Sequence, residues 1–316
     1  MRLLVLGGTS FVGRHLVAAA LDGGHDVTLL NRGRTNPDLF PQAERRVGDR
    51  TTGDLTALGS GRWDATVDVS AYLPRQVDEA LDALENRGGH YVLVSSVSAY
   101  DPARATRDES SPTYDASPAT EQVTAETYGP LKAACERRAQ ARLPDDGWTI
   151  VRPTYVVGPY DPTDRFTFWA RAIADGGAVP VAWPEAPVQV IDARDLGAFM
   201  LRLATTSTGG AFDGVGPYGP FGAMLHTMTP AGVDVDIVDV GHDRLEAAGV
   251  SLPLVDSDPQ AVPLLTRPGA RAIGVGLVCR SLQASTADTV AWDDARGRPP
   301  LTVGPTPEQR AELLAQ

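Results

Sequence analysis

Residues 2–13 read Arg2-Leu3-Leu4-Val5-Leu6-Gly7-Gly8-Thr9-Ser10-Phe11-Val12-Gly13, which spells a strand, a glycine turn and the start of a helix. The apolar run is nearly continuous rather than alternating, as a parallel strand buried on both faces requires. Glycines placed after such a strand let the backbone approach a pyrophosphate held at the N-terminus of the next helix. Gly7 and Gly13 stand six positions apart, with Ser10 where a middle glycine is usual. A glycine pattern alone is weak; between a strand and a helix it marks a dinucleotide site rather than a plain turn. An amphipathic helix to about residue 21 and a second strand over 26–30 complete a βαβ opening.

The end of that second strand bears on which dinucleotide. A carboxylate roughly 20 residues past the glycines would hold an adenosine ribose diol and select NAD. This chain has Leu30-Asn31-Arg32-Gly33-Arg34 there, with Arg14 also near. Arginines in place of an acid suit a 2′-phosphate, so NADP(H) is the preferred cofactor and NAD(H) the alternative. The expected cofactor-binding set is Gly7, Thr9, Ser10, Phe11, Val12 and Gly13 at the turn, and Asn31, Arg32 and Arg34 at the ribose. Asp49, after a short strand at 44–47, is placed to meet the adenine. Ser70 joins the set at the end of a strand over 65–69. Tyr128 and Lys132 complete it.

Strands and helices continue to alternate, with strands over 65–69, 90–95 and 148–152 and helices near 75–86 and about 121–141. The last of these helices carries Tyr128-Gly129-Pro130-Leu131-Lys132, and Lys132 is the only lysine beside 27 arginines. Residues four apart share a helix face. An ammonium beside a phenol favours the phenolate, drawing a tyrosine down from its ordinary value of about 10. A planar guanidinium does not replace a compact donor that must reach both a tyrosine and a sugar hydroxyl. The bland alternative is an i,i+4 pair on a solvated helix.

The chain has 316 residues, 42% apolar and 22% charged, with a net charge of −12. That describes a globule with an ample core and argues against passive binding to nucleic acid or anionic membrane. Two cysteines, Cys135 and Cys279, make no disulfide framework, and the five histidines show no ligand spacing. The apolar run at 3–6 is only strand length and no stretch approaches ~20 apolar residues, so no leader or membrane span is expected and the location follows as cytoplasmic.

Taken together, the glycine turn, Ser95-Ser96-Val97-Ser98-Ala99-Tyr100, Tyr128-Gly129-Pro130-Leu131-Lys132, Arg152-Pro153, Gly158-Pro159 and Val190-Ile191-Asp192-Ala193-Arg194-Asp195-Leu196 resemble the extended short-chain dehydrogenases/reductases, the NAD(P)-dependent epimerase/dehydratase superfamily. The Gly-Gly-Thr-x-Phe-Val-Gly opening and the Asn-Arg-Gly strand end look like a branch that also has plant chloroplast RNA-binding relatives. The resemblance implies that Ser96 orients a carbonyl, Tyr128 is the acid/base, and Lys132 is its partner and ribose ligand. It also implies what is missing. Related dehydratases carry an Asp-Glu pair where this chain has Val97-Ser98. Nucleotide-sugar enzymes commonly place an asparagine where Tyr155 stands and an arginine where Val188 stands, although Arg165 could hold a phosphate.

The reading is therefore an α/β fold, a Rossmann-type doubly wound parallel sheet with a smaller, interleaved C-terminal substrate lobe. Residues 1–157 form the dinucleotide domain, with 188–216 returning to it; 158–187 and 217–282 form the lobe; 283–316 are a C-terminal helical segment whose last part, from Pro305-Thr306-Pro307 to Gln316, reads as a Pro-initiated surface helix. Phe166, Phe168, Trp169, Trp183 and Phe221 are core or pocket lining. The implied function is an NADP(H)-dependent reductase or dehydrogenase acting on a carbonyl or alcohol carbon of a small polar metabolite, such as a sugar or natural-product intermediate. The alternatives are an NAD(P)-dependent epimerase of a sugar or nucleotide sugar, and a non-catalytic RNA-binding protein. The partner is a small-molecule substrate, with no membrane, nucleic acid disfavoured and a homodimer possible.

Overall fold

The structure is a computed structural model and describes residues 1–256 and 258–315. Gln316, the end of the expected C-terminal helix, and Ser257, within the Pro/Gly-rich stretch at 253–269, lie outside the described residues. In chain order the elements begin β1 (Arg2–Leu6), α1 (Phe11–Asp22), β2 (Asp26–Asn31), β3 (Glu44–Val47), β4 (Ala65–Asp68), α2 (Pro74–Leu84), β5 (His90–Val94), α3 (Ala125–Arg142) and β6 (Trp148–Pro153). They continue with β7 (Tyr155–Val157), α4 (Arg165–Asp175), β8 (Gly177–Val181), β9 (Pro187–Asp192), α5 (Ala193–Thr206) and β10 (Gly210–Gly214). Then follow β11 (Tyr218–Pro220), α6 (Phe221–Met228), β12 (Val235–Asp239), α7 (His242–Ala247), α8 (Ala270–Gly274), α9 (Leu282–Ala295) and α10 (Pro307–Leu314).

Two compact units result: residues 1–154, 193–215 and 267–278, and residues 155–192, 216–266 and 279–316. The first holds a seven-stranded sheet in the order β10-β6-β5-β4-β1-β2-β3, every neighbouring pair parallel. Leu3, Leu4, Val5 and Leu6 are wholly buried, as are Val92 and Leu93 of β5, which is why these strands read as unbroken apolar runs. The strand order reverses between β1 and β4. In such sheets ligands sit outside the carboxyl ends of the strands at that reversal.

In the second unit β9 lies between β7, which it meets in parallel, and β11, which it meets antiparallel, and β8 pairs with β12. Its core is largely aliphatic around a cluster of aromatic rings. Phe166, Trp169 and Phe221 are wholly buried, and Trp169 meets Phe168 and Phe221 edge-on at 4.8 and 4.9 Å. Of the two readings of these aromatics, core is the one the packing bears out, and the partly buried Phe168 and Trp183 pack against the same cluster.

The unit boundaries differ from those read off the chain: residues 155–157, which form β7, and Gly216 fall in the second unit, and two longer stretches change sides. Residues 188–192 are part of β9 and hydrogen-bond to β7 and β11 rather than to the seven-stranded sheet. Residues 267–278 belong to the first unit, because Arg267 is wholly buried against Asp213 and Arg271 lies over the Phe212 ring. No helix among the described residues is long and apolar enough to cross a membrane.

Candidate active site

The glycine turn is built from both sides. Asn31 donates its side-chain amide to Gly7 O at 3.1 Å and accepts from Gly33 N at 2.9 Å, and Asn36 donates to Thr9 O at 2.8 Å. Asn31 thus braces the turn, with its amide group already engaged; Asn36 was not foreseen, since nothing local singles out one loop asparagine. A Cβ on Gly13 would lie 2.9 Å from Gly8 Cα, so α1 can seat this closely on the turn only with glycine there. Thr9 is buried, Phe11 and Val12 half-buried. Ser10 is the N-cap of α1 and is exposed, and its side chain makes no capping bond. The leading N–H groups of α1 therefore have no side-chain cap from Ser10, which fits an anionic group at that end.

Farther along the same edge, Arg32 and Arg34 are exposed, and among the described residues neither makes an ion pair. Asp49 accepts from the Thr51 hydroxyl at 2.6 Å and from Thr51 N at 2.9 Å. These bonds, with a smaller contribution from the Arg32 and Arg34 charges, hold its carboxyl below the usual carboxylate range. Ser70 has a structural load: it donates to Leu6 O at 2.9 Å and accepts from Arg50 at 3.0 Å. Arg50 in turn pairs with buried Asp68 at 2.5 Å and donates to Gln76 O at 2.7 Å, stitching the segment after β3 to the end of β4. Arg50 carries no local sequence signal, because its partners lie 18 to 26 residues away.

On the other side of the reversal are Ser96, Tyr128 and Lys132. Thr124 and Thr127 cap α3 reciprocally, Thr127 N to Thr124 Oγ1 at 3.3 Å and Thr124 N to Thr127 Oγ1 at 2.8 Å. This sets the helix start at Ala125, later than the expected residue 121. Lys132 is 4% exposed, so it is not on a solvated face. Its Nζ donates to Ala71 O at 2.8 Å and Val94 O at 2.5 Å, joining the chain just past β4 to the end of β5. An ammonium has three donors; among the described residues the third has no protein acceptor. Nζ lies 5.4 Å from the centroid of the Tyr72 ring, and that ring is 6.5 Å from the ring of half-buried Tyr128.

Ser96 caps the 3-10 turn Val97–Ala99, its Oγ accepting from Ser98 N at 3.1 Å. The hydroxyl proton of Ser96 is left to donate elsewhere. Gly129, the residue after Tyr128, brings α3 against this turn: a Cβ there would stand 2.1 Å from Ser98 O. The three residues named from the sequence thus sit on adjacent pieces of one unit, at the carboxyl edge of β4 and β5.

Behind them runs a buried charged network. Ser95 Oγ bonds Glu136, and Glu136 holds Arg152 by two bonds of 2.9 and 2.6 Å. Arg152 donates to the Tyr100 hydroxyl at 2.8 Å, Tyr100 donates to Asp213 at 2.7 Å, and Arg267 completes Asp213 at 2.6 Å. Burial pushes the Tyr100 phenol well up, so it stays protonated as a donor, and burial also raises the Asp213 carboxyl against the pull of Arg267. Arg152 was visible only as part of a motif, and Glu136, Asp213 and Arg267 were missed.

A family model described as "NAD dependent epimerase/dehydratase family" matches residues 3–213, which spans the glycine turn, the Ser96 turn and the Tyr128/Lys132 helix. The chain belongs to that family. With it comes the extended short-chain dehydrogenase/reductase character, that of NAD(P)-dependent enzymes. Among solved structures, the Bordetella bronchiseptica enzyme WbmG in complex with NAD and UDP is 17% identical, with a TM-score of 0.65 over 94% of this chain and 96% of that one. The terminal R domain from the myxalamid PKS-NRPS biosynthetic pathway is 18% identical, with a TM-score of 0.67 over 96% and 92%. Both share the fold. A curated relative, the chloroplast stem-loop binding protein of 41 kDa b from Arabidopsis thaliana, is 24% identical over 206 residues, 60% of this chain; the chain spans about half the length of that relative. The family is described as NAD dependent, and the glycine turn lies at the β1/β4 reversal, where sheets of this kind hold ligands. Among the described residues no cluster of His, Cys, Asp or Glu could hold a metal ion.

Proposed function

We propose that this protein is an NADP(H)-dependent oxidoreductase acting on a carbonyl or alcohol carbon of a small polar metabolite. The observation that carries the reading is the buried Lys132 ammonium, fixed by two backbone carbonyls with one donor left over, one turn from Tyr128. That donor suits a ribose hydroxyl of the cofactor. The glycine turn and the start of α1 suit its pyrophosphate, and Arg32 and Arg34 suit a 2′-phosphate.

A bound nicotinamide dinucleotide supplies or accepts a hydride at the substrate carbon. Tyr128 gives its phenolic proton to the carbonyl oxygen in reduction and takes it back from the alcohol in oxidation. Lys132 favours the phenolate that proton loss leaves behind. Ser96, whose Oγ accepts from Ser98 N, directs its own proton to the same substrate oxygen and stabilises developing negative charge there. Val97, where related dehydratases carry an acid, is buried and apolar, and Ser98 offers no carboxylate, so the reading excludes water elimination by that route.

The preference for NADP(H) is tested by binding. Replacing Arg32 and Arg34 together by alanine should weaken NADPH far more than NADH in fluorescence titration, because only NADPH has the phosphate those groups would meet. Equal losses would refute the preference. A second reading, an epimerase that returns the hydride to its substrate, has support from the family description and from the NAD and UDP of the WbmG complex. Mass spectrometry of the purified protein separates the two. Stoichiometric NAD retained through purification supports epimerisation; an empty site that fills with added NADPH supports net reduction.

A further inference from the structure

Tyr72 is the one exposed aromatic side chain of the first unit among the described residues, at 48%. An exposed ring is ordinary when it stands alone. This one does not, because it faces the Lys132 ammonium at 5.4 Å and the Tyr128 ring at 6.5 Å, tilted by 46°. Its backbone is held in place: Tyr72 N and Leu73 N both donate to the Gln76 side chain, at 2.9 and 3.1 Å. The ring is therefore presented on a fixed strand-end loop, directly after β4 and beside the reversal of the sheet.

The sheet order sets which end of a dinucleotide comes here. The pyrophosphate turn follows β1, and the Arg32/Arg34/Asp49 group follows β2 and β3, so the adenosine half lies on that side. The other half must lie on the β4/β5 side, where Lys132, Tyr128 and Ser96 stand. We propose that Tyr72 forms an aromatic wall of the nicotinamide subsite, its exposed face packing against the flat nicotinamide ring while its ring shelters the Lys132 ammonium. A fully hydrated lysine would lose much of its influence on Tyr128 to solvent screening, and an aromatic face attracts an ammonium while excluding water. This inference rests on the dinucleotide reading given above.

The test uses binding to the full-length protein and needs no substrate. Dissociation constants for NADP+ and for adenosine 2′,5′-bisphosphate, which has the 2′-phosphate but no nicotinamide, are measured by calorimetry on the parent, Tyr72→Ala and Tyr72→Phe. NAD+ and ADP-ribose serve as the matching pair without a 2′-phosphate. Tyr72→Ala should weaken the dinucleotides by about three- to tenfold, the range of an aromatic stacking contact. It should leave both nicotinamide-free fragments unchanged, and Tyr72→Phe should bind like the parent. Equal loss for dinucleotide and fragment, or no loss at all, overturns the inference while leaving the dinucleotide reading in place; so does a Tyr72→Phe protein as weak as Tyr72→Ala. A parent protein that binds neither dinucleotide overturns both.

Discussion

Replacing Gly129 by alanine in an α-helix ordinarily stabilises by about 1 kcal/mol, since alanine is the better helix former. Here the sign should reverse. The added Cβ would stand 2.1 Å from Ser98 O and 3.1 Å from Ser98 C, with the Tyr114 ring at 3.2 Å. Carbon–oxygen contacts of this kind settle at about 3.3–3.6 Å, so helix and turn must separate by roughly 1.2 Å. The obstacle is backbone, held by the bond from Ser98 N to Ser96 Oγ, and cannot swing aside as a side chain would. Overpacking of this sort costs about 1–3 kcal/mol; set against the helix gain, the net loss is up to about 2 kcal/mol, or a Tm lower by up to ~3 °C for a chain of this length. The displacement falls between Tyr128 and the turn that carries Ser96. A misplacement near 1 Å costs ~10²-fold in rate, so turnover followed by nicotinamide absorbance should fall far more than stability does. A Gly129→Ala protein with a raised Tm and full turnover would refute the close approach and the pairing of Tyr128 with the Ser96 turn.

Two further outcomes follow from the same site. Lys132→Arg should lower turnover by at least ~10²-fold with the fold retained, because a planar fork cannot take both the Ala71 and Val94 carbonyls from the position of Nζ. Tyr128→Phe should do comparable damage, and the double variant should lose less than the two single losses combined, which kinetics on the three proteins would check. Burial pushes the Cys135 thiol up to about 12 from its ordinary 9.0, against the opposing charge of Lys132. A group raised on folding contributes stability that is present below its unfolded value and lost as pH rises through the folded one. Urea midpoints should therefore fall between pH 9 and 12, and less steeply in Cys135→Ala; identical alkaline slopes would count against the burial of that thiol.

Much of this molecule is written locally. The apolar run of β1, the glycine turn, the absence of an acid after β2 and the Tyr128/Lys132 spacing each depend on a few consecutive residues. Periodicity and backbone preference therefore expose them without a structure, and they carry the parallel sheet, the family and the positions of Ser96, Tyr128 and Lys132. What the tertiary structure decided depends on pairs far apart in the chain. The lysine finds one of its carbonyls 61 residues away, at Ala71. Tyr100 meets Asp213 across 113 residues, and Arg267 reaches Thr106 across 161, which is why residues 267–278 belong with the first unit. Tyr72 and Gly129 are unremarkable as letters; only the folding of α3 onto the ends of β4 and β5 gives one a ring beside an ammonium and the other a carbonyl with no room for a methyl group. Local preference selects elements, but burial of charge and close backbone contact are settled only when those elements pack.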